Sequence, residues 1–156
     1  MRIIVLPLLA GLLAGIALPA LADCVPADFP RDYLEREEAA GGHTLARHVG
    51  KSDEWLMARL AGDAHLHFAS GYADRAGAEA AIEALLGRHR ARINRWADRS
   101  PDGAEFTLRG ATDRPIGHTA WRPVGPDHLA ESRTIVVVMK KLDAARCLVL
   151  TSYPAP

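Results

Sequence analysis

The sequence lacks the motifs on which many hydrolases and nucleotide-binding proteins are built. It contains no Gly-x-Ser-x-Gly, no glycine-rich phosphate loop, no His-Glu-x-x-His and no Cys-x-x-Cys. These absences argue against an enzyme built on any of those four arrangements. The chain also has no internal repeat and no low-complexity tract.

An excess of charge of one sign is missing as well. The chain has 19 Lys and Arg residues against 19 Asp and Glu residues, so its formal net charge is zero. The protein is therefore not a polycation, and any affinity for nucleic acid has to come from a local cluster of basic residues.

Long hydrophobic runs are limited to one, at the N-terminus. Arg2 precedes an apolar run over residues 3–18, and Ala20-Leu21-Ala22 follows it. This order of charged, apolar and small residues is typical of a secretory signal peptide. The run is short for a membrane span and no second one follows, so we expect a periplasmic or secreted protein without a membrane span. Acylation of Cys24 is the alternative, which Asp23 disfavours.

Cysteine is scarce, with only Cys24 and Cys147 in the chain. An oxidising compartment allows the two thiols to pair in the single intramolecular way open to them. The alternative is that both cysteines stay unpaired. The mature chain of about 134 residues, 156 minus the 22 of the signal peptide, fits one domain, and we expect a monomer.

Helix signals precede strand signals along the chain. A short helix is predicted from Asp32 to the Gly41-Gly42 pair, helical turns from His43 to His48, a helix capped by Ser52, and a long helix from Asp74 to about Trp96. Strands are predicted at Glu105–Arg109, Pro115–Trp121, Thr134–Lys140 and Cys147–Tyr153, the last two as a hairpin. This order predicts an α+β domain with helices packed on one side of an antiparallel sheet.

Histidines concentrate in the N-terminal half of the chain. His43 and His48 are five residues apart, which on a continuous helix separates them by about 140° and puts them on different faces. His48 and Arg59 are eleven residues apart, close to three helical turns, but Gly50 and Ser52 interrupt the helix between them. The ordinary interpretation is one packed or capping histidine and one in solvent.

A second histidine pair, His65 and His67, alternates around Leu66. On a strand both imidazoles would share a face and offer two ligands to zinc. No third or fourth ligand is evident nearby, so a half-exposed strand without metal is the competing interpretation.

Two further stretches have side chains suited to phosphate. The arginine-rich residues 87–96 include Arg88 and Arg92, which either contact phosphates or form the solvated face of an amphipathic helix. Near the C-terminus, Thr151 and Tyr153 are two apart on a predicted strand, so their hydroxyls share a face.

Four stretches taken together resemble the bacterial ribonuclease A-like domain, best known as the C-terminal toxin of contact-dependent growth inhibition proteins. They are GGHTLARHVGKSDEWLMARL, ASGYADRAGAEAAI, RPIGHTAWR and LTSYP, and they span Gly41 to Pro154. The resemblance implies a fold similar to pancreatic-type ribonucleases, with N-terminal helices packed on a curved antiparallel sheet. We expect a signal peptide over 1–22, an N-terminal extension over 23–40 and the ribonuclease A-like domain over 41–156.

The same resemblance implies an active site and a reaction without a metal or other cofactor. By the positions of the family's motifs, its residues are His48, Arg59, Thr151 and Tyr153. The expected reaction is RNA cleavage by transphosphorylation to a 2′,3′-cyclic phosphate, with His48 as base and Arg59 on the phosphorane. We assign the leaving-group proton to His43. The candidate substrate-binding cations are Lys51, Arg88 and Arg92.

The resemblance also implies partners, and two features depart from it. RNA is the expected substrate, and an immunity protein is the expected partner if the domain acts as a toxin. The family's members are usually tails of very large delivery proteins without cysteines, whereas this chain is short and has two. The alternatives are a catalytically inactive periplasmic binding module on the same scaffold, and the zinc site at His65 and His67.

Overall fold

The computed structural model describes residues 23–156, so the predicted signal peptide lies outside the described residues. The helices are α1 (Tyr33–Ala39), α2 (Thr44–His48), α3 (Asp53–Gly62) and α4 (Arg75–Arg99), with a short 3₁₀ helix at Pro126–His128. The strands are β1 (Phe68–Tyr72), β2 (Glu105–Ala111), β3 (Gly117–Trp121), β4 (Leu129–Ser132), β5 (Thr134–Lys141) and β6 (Cys147–Ala155). None of the helices in this part of the chain is both long and apolar enough to cross a membrane.

The strands form two antiparallel sheets, with the orders β1-β3-β4 and β2-β5-β6. The α+β class, the helices and the β5–β6 hairpin are thus confirmed, while the expected single sheet is divided into two. The division lies between β4 and β5, which are consecutive along the chain but belong to different sheets.

Two strands were not predicted, β1 and β4. The sequence of β1, Phe-Ala-Ser-Gly-Tyr, contains small residues with low strand propensity, and four of its five residues are buried, so no alternation shows in the sequence. The prediction that His65 and His67 lie on a strand was wrong, because both precede β1 in a turn and bend.

Predicted helix boundaries follow from local hydrogen bonds. The Ser52 hydroxyl accepts from the Trp55 backbone N–H at 3.2 Å, and Asp74 Oδ1 accepts from the Gly77 N–H at 2.7 Å. Gly50, just after α2, has a φ of +64°, a left-handed conformation that glycine adopts without strain.

Two groups of buried side chains hold the elements together. The larger lies where α4 packs against β2 and β5, and it also contains Val25, Tyr33 and Leu34. The predicted extension over 23–40 therefore packs into the same core as the rest. The smaller group joins α3 to β1 and β3 through Leu56, Leu60, Ala69 and Ala120.

Cys24 and Cys147 form the predicted disulfide, which engages the thiol that acylation would require. The bridge joins the start of the described chain to the first residue of β6, across a sequence separation of 123 residues. The bridge thus links the N-terminal segment to β6, the strand that contains Thr151 and Tyr153.

We expect replacement of both cysteines by serine to lower the free energy of unfolding by about 4–5 kcal/mol, because a long loop is then freed in the unfolded chain. Urea unfolding of the two proteins at pH 7 measures the difference. Dithiothreitol should destabilise the wild-type protein and leave the double variant unchanged. Equal stability of oxidised and reduced wild-type protein would contradict the prediction.

Candidate active site

A cleft of about 270 Å³ brings together three of the residues that are predicted from the sequence to be catalytic. His48 at the end of α2, Arg59 in the last turn of α3 and Tyr153 on β6 all line it. The remaining wall consists of residues 65–70, which belong to the turn before β1 and to β1 itself. The neighbouring helices α2 and α3 thus meet strand β6, which is distant in sequence, at one concave surface.

The start of α2 is fixed by a carboxylate from α1. Glu38 accepts the backbone N–H groups of Leu45 and Ala46, each at 2.9 Å, and so satisfies two amides that a helix start leaves unpaired. The N–H of His43 donates to the carbonyl of Leu150 at 3.0 Å, where β6 has its register irregularity. These contacts set α2 against β6.

The end of α2 is tied to β1 around His48. The N–H of Gly50 donates to the Tyr72 carbonyl at 3.1 Å, and His48 Nδ1 lies 3.2 Å from the Ser70 carbonyl oxygen. A carbonyl only accepts, so Nδ1 carries the proton in this contact and Nε2 presents a lone pair. The imidazole is thereby held as the tautomer that a general base needs.

The surroundings of His48 keep its imidazole neutral. Burial lowers its pKa from 6.5 to about 4, and the charges of Arg59 and Arg47 act in the same direction, while the hydrogen bond to Ser70 opposes them. His48 is therefore unprotonated at pH 7 and ready to accept a proton.

Arg59 reaches the cleft from an anchored helix. Leu56 and Leu60 of α3 are fully buried, whereas Arg59 between them is exposed. Within residues 23–156 its guanidinium makes no hydrogen bond or ion pair, and its contact is the Trp55 ring, with Cζ 5.5 Å from the ring centroid. All five guanidinium N–H groups are thus free to donate to an anion.

Strand β6 places Thr151 and Tyr153 on the same face, as predicted. Ser152 points the other way and is fully buried, where its hydroxyl donates to the Val136 carbonyl at 2.8 Å and accepts from the Tyr72 hydroxyl at 2.6 Å. The Tyr153 ring lies 5.3 Å from the His48 ring, centroid to centroid. Thr151 does not line the cleft, but its Oγ1 is buried without a hydrogen-bond partner among the described residues.

Removal of the unpartnered hydroxyl of Thr151 is expected to affect stability and catalysis differently. Since an unsatisfied buried hydroxyl costs about 1–3 kcal/mol, Thr151→Val, which keeps the shape, should leave the free energy of unfolding unchanged or raise it. If that hydroxyl meets the substrate, catalysis should still fall about tenfold, the cost of about 1.4 kcal/mol of lost hydrogen bonding. Urea unfolding and RNA cleavage assays measure the two effects.

Thr44 provides the matched control, because its Oγ1 is likewise buried without a partner in the described chain. Thr44→Val should have the same effect on stability and none on cleavage. Equal loss of activity in both valine variants, or full activity in Thr151→Val, would refute a substrate contact for Thr151.

The other predicted cations lie outside the cleft. Lys51 lines a neighbouring cleft of about 320 Å³, together with a hydrogen-bonded pair in which His118 Nδ1 is 2.6 Å from Asp53 Oδ1. Arg88 lines a groove beside α4, and Arg92 lies over the Phe106 ring at 5.1 Å. The exposed face of α4 is thus not brought to His48, because α4 packs against β2 and β5.

His43 does not line the cleft either, although its charge acts on His48. Burial is the main cause of a lowered pKa for His43, with the charge of Arg47 next. His65 and His67, nominated from the sequence only as zinc ligands, line the cleft instead. Residues 23–156 contain no group of three or more potential metal ligands. His65 and His67 are thus the histidines of the cleft that the sequence analysis did not predict to be there, and both follow α3 directly.

Comparisons with known proteins concern the fold and the family of the chain. A search of curated proteins gives no match. A chain in the crystal structure of a CdiA-CT/CdiI complex from Y. kristensenii 33638 is similar, with a TM-score of 0.63 and 24% sequence identity over 74% of this chain and 100% of that one. At that identity the likeness concerns the fold. The family described as the bacterial CdiA-CT RNAse A domain matches residues 42–154, nearly all of the described chain, and the protein belongs to this family.

Proposed function

We propose that this protein is an exported, metal-independent ribonuclease that cuts RNA by transphosphorylation and leaves a 2′,3′-cyclic phosphate. The observation that carries the proposal is a neutral imidazole with a free Nε2 in the same cleft as an unpaired guanidinium. Ribonuclease A-like toxin membership supports the substrate class.

In the first step the RNA 2′-hydroxyl gives its proton to His48 Nε2 as its oxygen attacks the neighbouring phosphorus. The Nδ1–H of His48 stays on the Ser70 carbonyl, so the imidazolium that forms keeps its orientation. A base whose pKa is about 4 is always available at pH 7 but is intrinsically weak. The bound phosphate, an anion, raises the pKa of the imidazole as the proton arrives.

Charge on the phosphorane is met by Arg59. The planar, permanently charged fork of arginine suits two oxygens of one phosphate, and all its donors are free before substrate binds. Tyr153, which also lines the cleft, adds a hydroxyl, and Thr151 adds one if its unpartnered oxygen turns to the substrate.

The leaving 5′-oxygen needs a proton donor, for which the chain offers several histidines. His43 does not line the cleft, and burial lowers its pKa, which disfavours the protonated form that a general acid needs. His65 and His67 line the cleft. We therefore assign the proton to one of these two and give His43 a supporting place at the start of α2.

Single glutamine variants separate the three histidines. General acid catalysis contributes about 10²–10⁴-fold, so either His65→Gln or His67→Gln should lower kcat at least tenfold and remove the alkaline limb of its pH profile. His43→Gln should stay within about threefold of wild type on this scale. The assignment is wrong if His43→Gln alone removes the alkaline limb.

The experiment that tests the function is incubation of the disulfide-bonded protein with a fluorescent RNA in EDTA. Cleavage that leaves 2′,3′-cyclic phosphate ends, identified by mass spectrometry, supports the proposal. RNA binding by the folded protein without any cleavage would instead favour the inactive binding module. Zinc dependence would show as loss of activity in EDTA and recovery on adding zinc.

Export and an immunity partner belong to the same proposal. The disulfide favours an oxidising compartment. The similar solved chain is in complex with CdiI, which supports an immunity protein as partner for a toxin. Fractionation of the producing cells, with the Cys24–Cys147 bridge assayed in each fraction, tests the location.

A further inference from the structure

Trp55 is one of two large apolar side chains that are exposed in residues 23–156, with 37% of its surface accessible. It lies on α3, but Leu56 and Leu60 make the contacts of that helix with the sheet. A single exposed apolar residue is ordinary in a folded protein. What distinguishes Trp55 is its neighbours.

Two cations from two different clefts meet at the Trp55 ring. Lys51 Nζ is 5.2 Å from the ring centroid and Arg59 Cζ is 5.5 Å from it. Arg59 lines the cleft with His48, whereas Lys51 lines the neighbouring cleft. The indole thus contacts one cation from each of the two clefts.

We infer that Trp55 is the stacking platform for a nucleobase of single-stranded RNA whose scissile phosphate is bound by Arg59. This inference rests on the proposed function and adds to it a base subsite beside Lys51. Bases have a π-face whatever their identity, and proteins that bind single strands pair aromatic rings with flanking cations in this way.

Magnitudes favour the base over the cations as the partner of the ring. A cation over an exposed aromatic ring is worth roughly two- to fivefold in an equilibrium constant. A base stacked on an aromatic side chain is worth roughly five- to 150-fold. RNA binding is therefore favoured when a base replaces the two cations on the Trp55 ring. Arg59 and Lys51 are then free to contact the phosphates of the RNA.

The carboxylates nearby limit where phosphate goes. Asp53 and Glu54 line the second cleft, and Asp53 is hydrogen-bonded to His118. These carboxylates repel phosphate from the interior of that cleft. The RNA strand therefore runs along Trp55 and past Lys51 at the edge of the second cleft. The adjoining phosphate stays outside that cleft.

Binding of a 2′-fluoro oligonucleotide, which has no 2′-hydroxyl to attack its phosphate, tests the platform with the disulfide-bonded protein. We expect Trp55→Ala to weaken binding about tenfold by fluorescence anisotropy, and Trp55→Phe to recover most of it. Val124→Ala removes the other exposed large apolar side chain and should change nothing. An affinity of Trp55→Ala within twofold of wild type overturns the inference.

Abasic oligonucleotides separate stacking from a role in holding Arg59. If Trp55 stacks a base, removing one particular base near the cleavage site should weaken wild-type binding and abolish the difference between wild type and Trp55→Ala. If Trp55 only positions Arg59, that difference should persist on every abasic oligonucleotide. Persistence on all of them overturns the base subsite.

Failure of the subsite and failure of the enzyme give different results. RNA cleavage by wild type with normal binding by Trp55→Ala removes only the subsite. Binding that depends on Trp55 without any RNA cleavage removes the proposed catalysis and keeps the subsite. Absence of both binding and cleavage in folded protein removes both.

Discussion

His48→Ala is expected to lower kcat for RNA cleavage by about 10²–10⁴-fold while the protein stays folded. Among the described residues that line this cleft, the His48 imidazole is the one group for which a hydrogen bond fixes a proton on one nitrogen and a lone pair on the other. Removing it leaves Arg59 and Tyr153 to bind RNA but leaves the 2′-hydroxyl without a proton acceptor. Steady-state cleavage in EDTA measures the loss, and circular dichroism with thermal melting checks the fold.

His48→Asn is the control that separates the base from the scaffold. The amide nitrogen of asparagine is as many bonds from the backbone as Nδ1 and can donate to the Ser70 carbonyl, but the amide does not accept a proton at neutral pH. Both variants should therefore lose activity to the same extent. Substantial activity in either one would show that His48 is not the base.

The pH profile of RNA cleavage tests independently whether His48 is the base. The base works unprotonated, so the acid limb of kcat/KM, which reports the free enzyme, should lie near the His48 pKa of about 4 instead of near 6.5. The acid limb of kcat should lie at higher pH, because bound phosphate favours the imidazolium. An acid limb of kcat/KM at 6.5 that His48→Asn does not alter would assign that limb to another group.

Helix placement was readable from the sequence because the boundaries are local. Ser52 and Asp74 accept from amides three residues on, and Gly50 provides a left-handed φ just after α2, so their effect survives in a single sequence. Strand β1 was not readable, since its Ala-Ser-Gly core is chosen by close packing. A Cβ on Gly71 would lie 3.0 Å from the Lys51 Cβ, a tertiary constraint that no local pattern records.

The candidate site likewise has parts that the sequence predicts and parts that only tertiary packing determines. His48, Arg59 and Tyr153 were nominated by motif and do share a cleft, but their spacing along the chain gave no reason for it. The turn that brings His65 and His67 to the same cleft depends on how α3 ends and β1 begins. Arg88 and Arg92 looked equally suitable for phosphate, and the packing of α4 places them elsewhere.

Arg59→Ala is expected to lower kcat by about 10²–10³-fold, the usual cost of one preorganised donor to developing negative charge. The loss should appear mainly in kcat, because charge builds on the phosphoryl oxygens in the transition state more than in bound RNA. Arg59→Lys keeps the charge but not the fork, and should recover only part of the rate. Single-turnover cleavage at saturating protein separates this step from binding.

Arg92 offers the matched control, since it is another exposed arginine over an aromatic ring, at 5.1 Å from Phe106, but lies outside the cleft. Removing either arginine changes the net charge equally, so a purely long-range attraction for RNA would weaken equally in both variants, and more at low salt. We expect Arg92→Ala to leave kcat unchanged. Equal losses in the two variants would mean that Arg59 attracts RNA without stabilising the phosphorane.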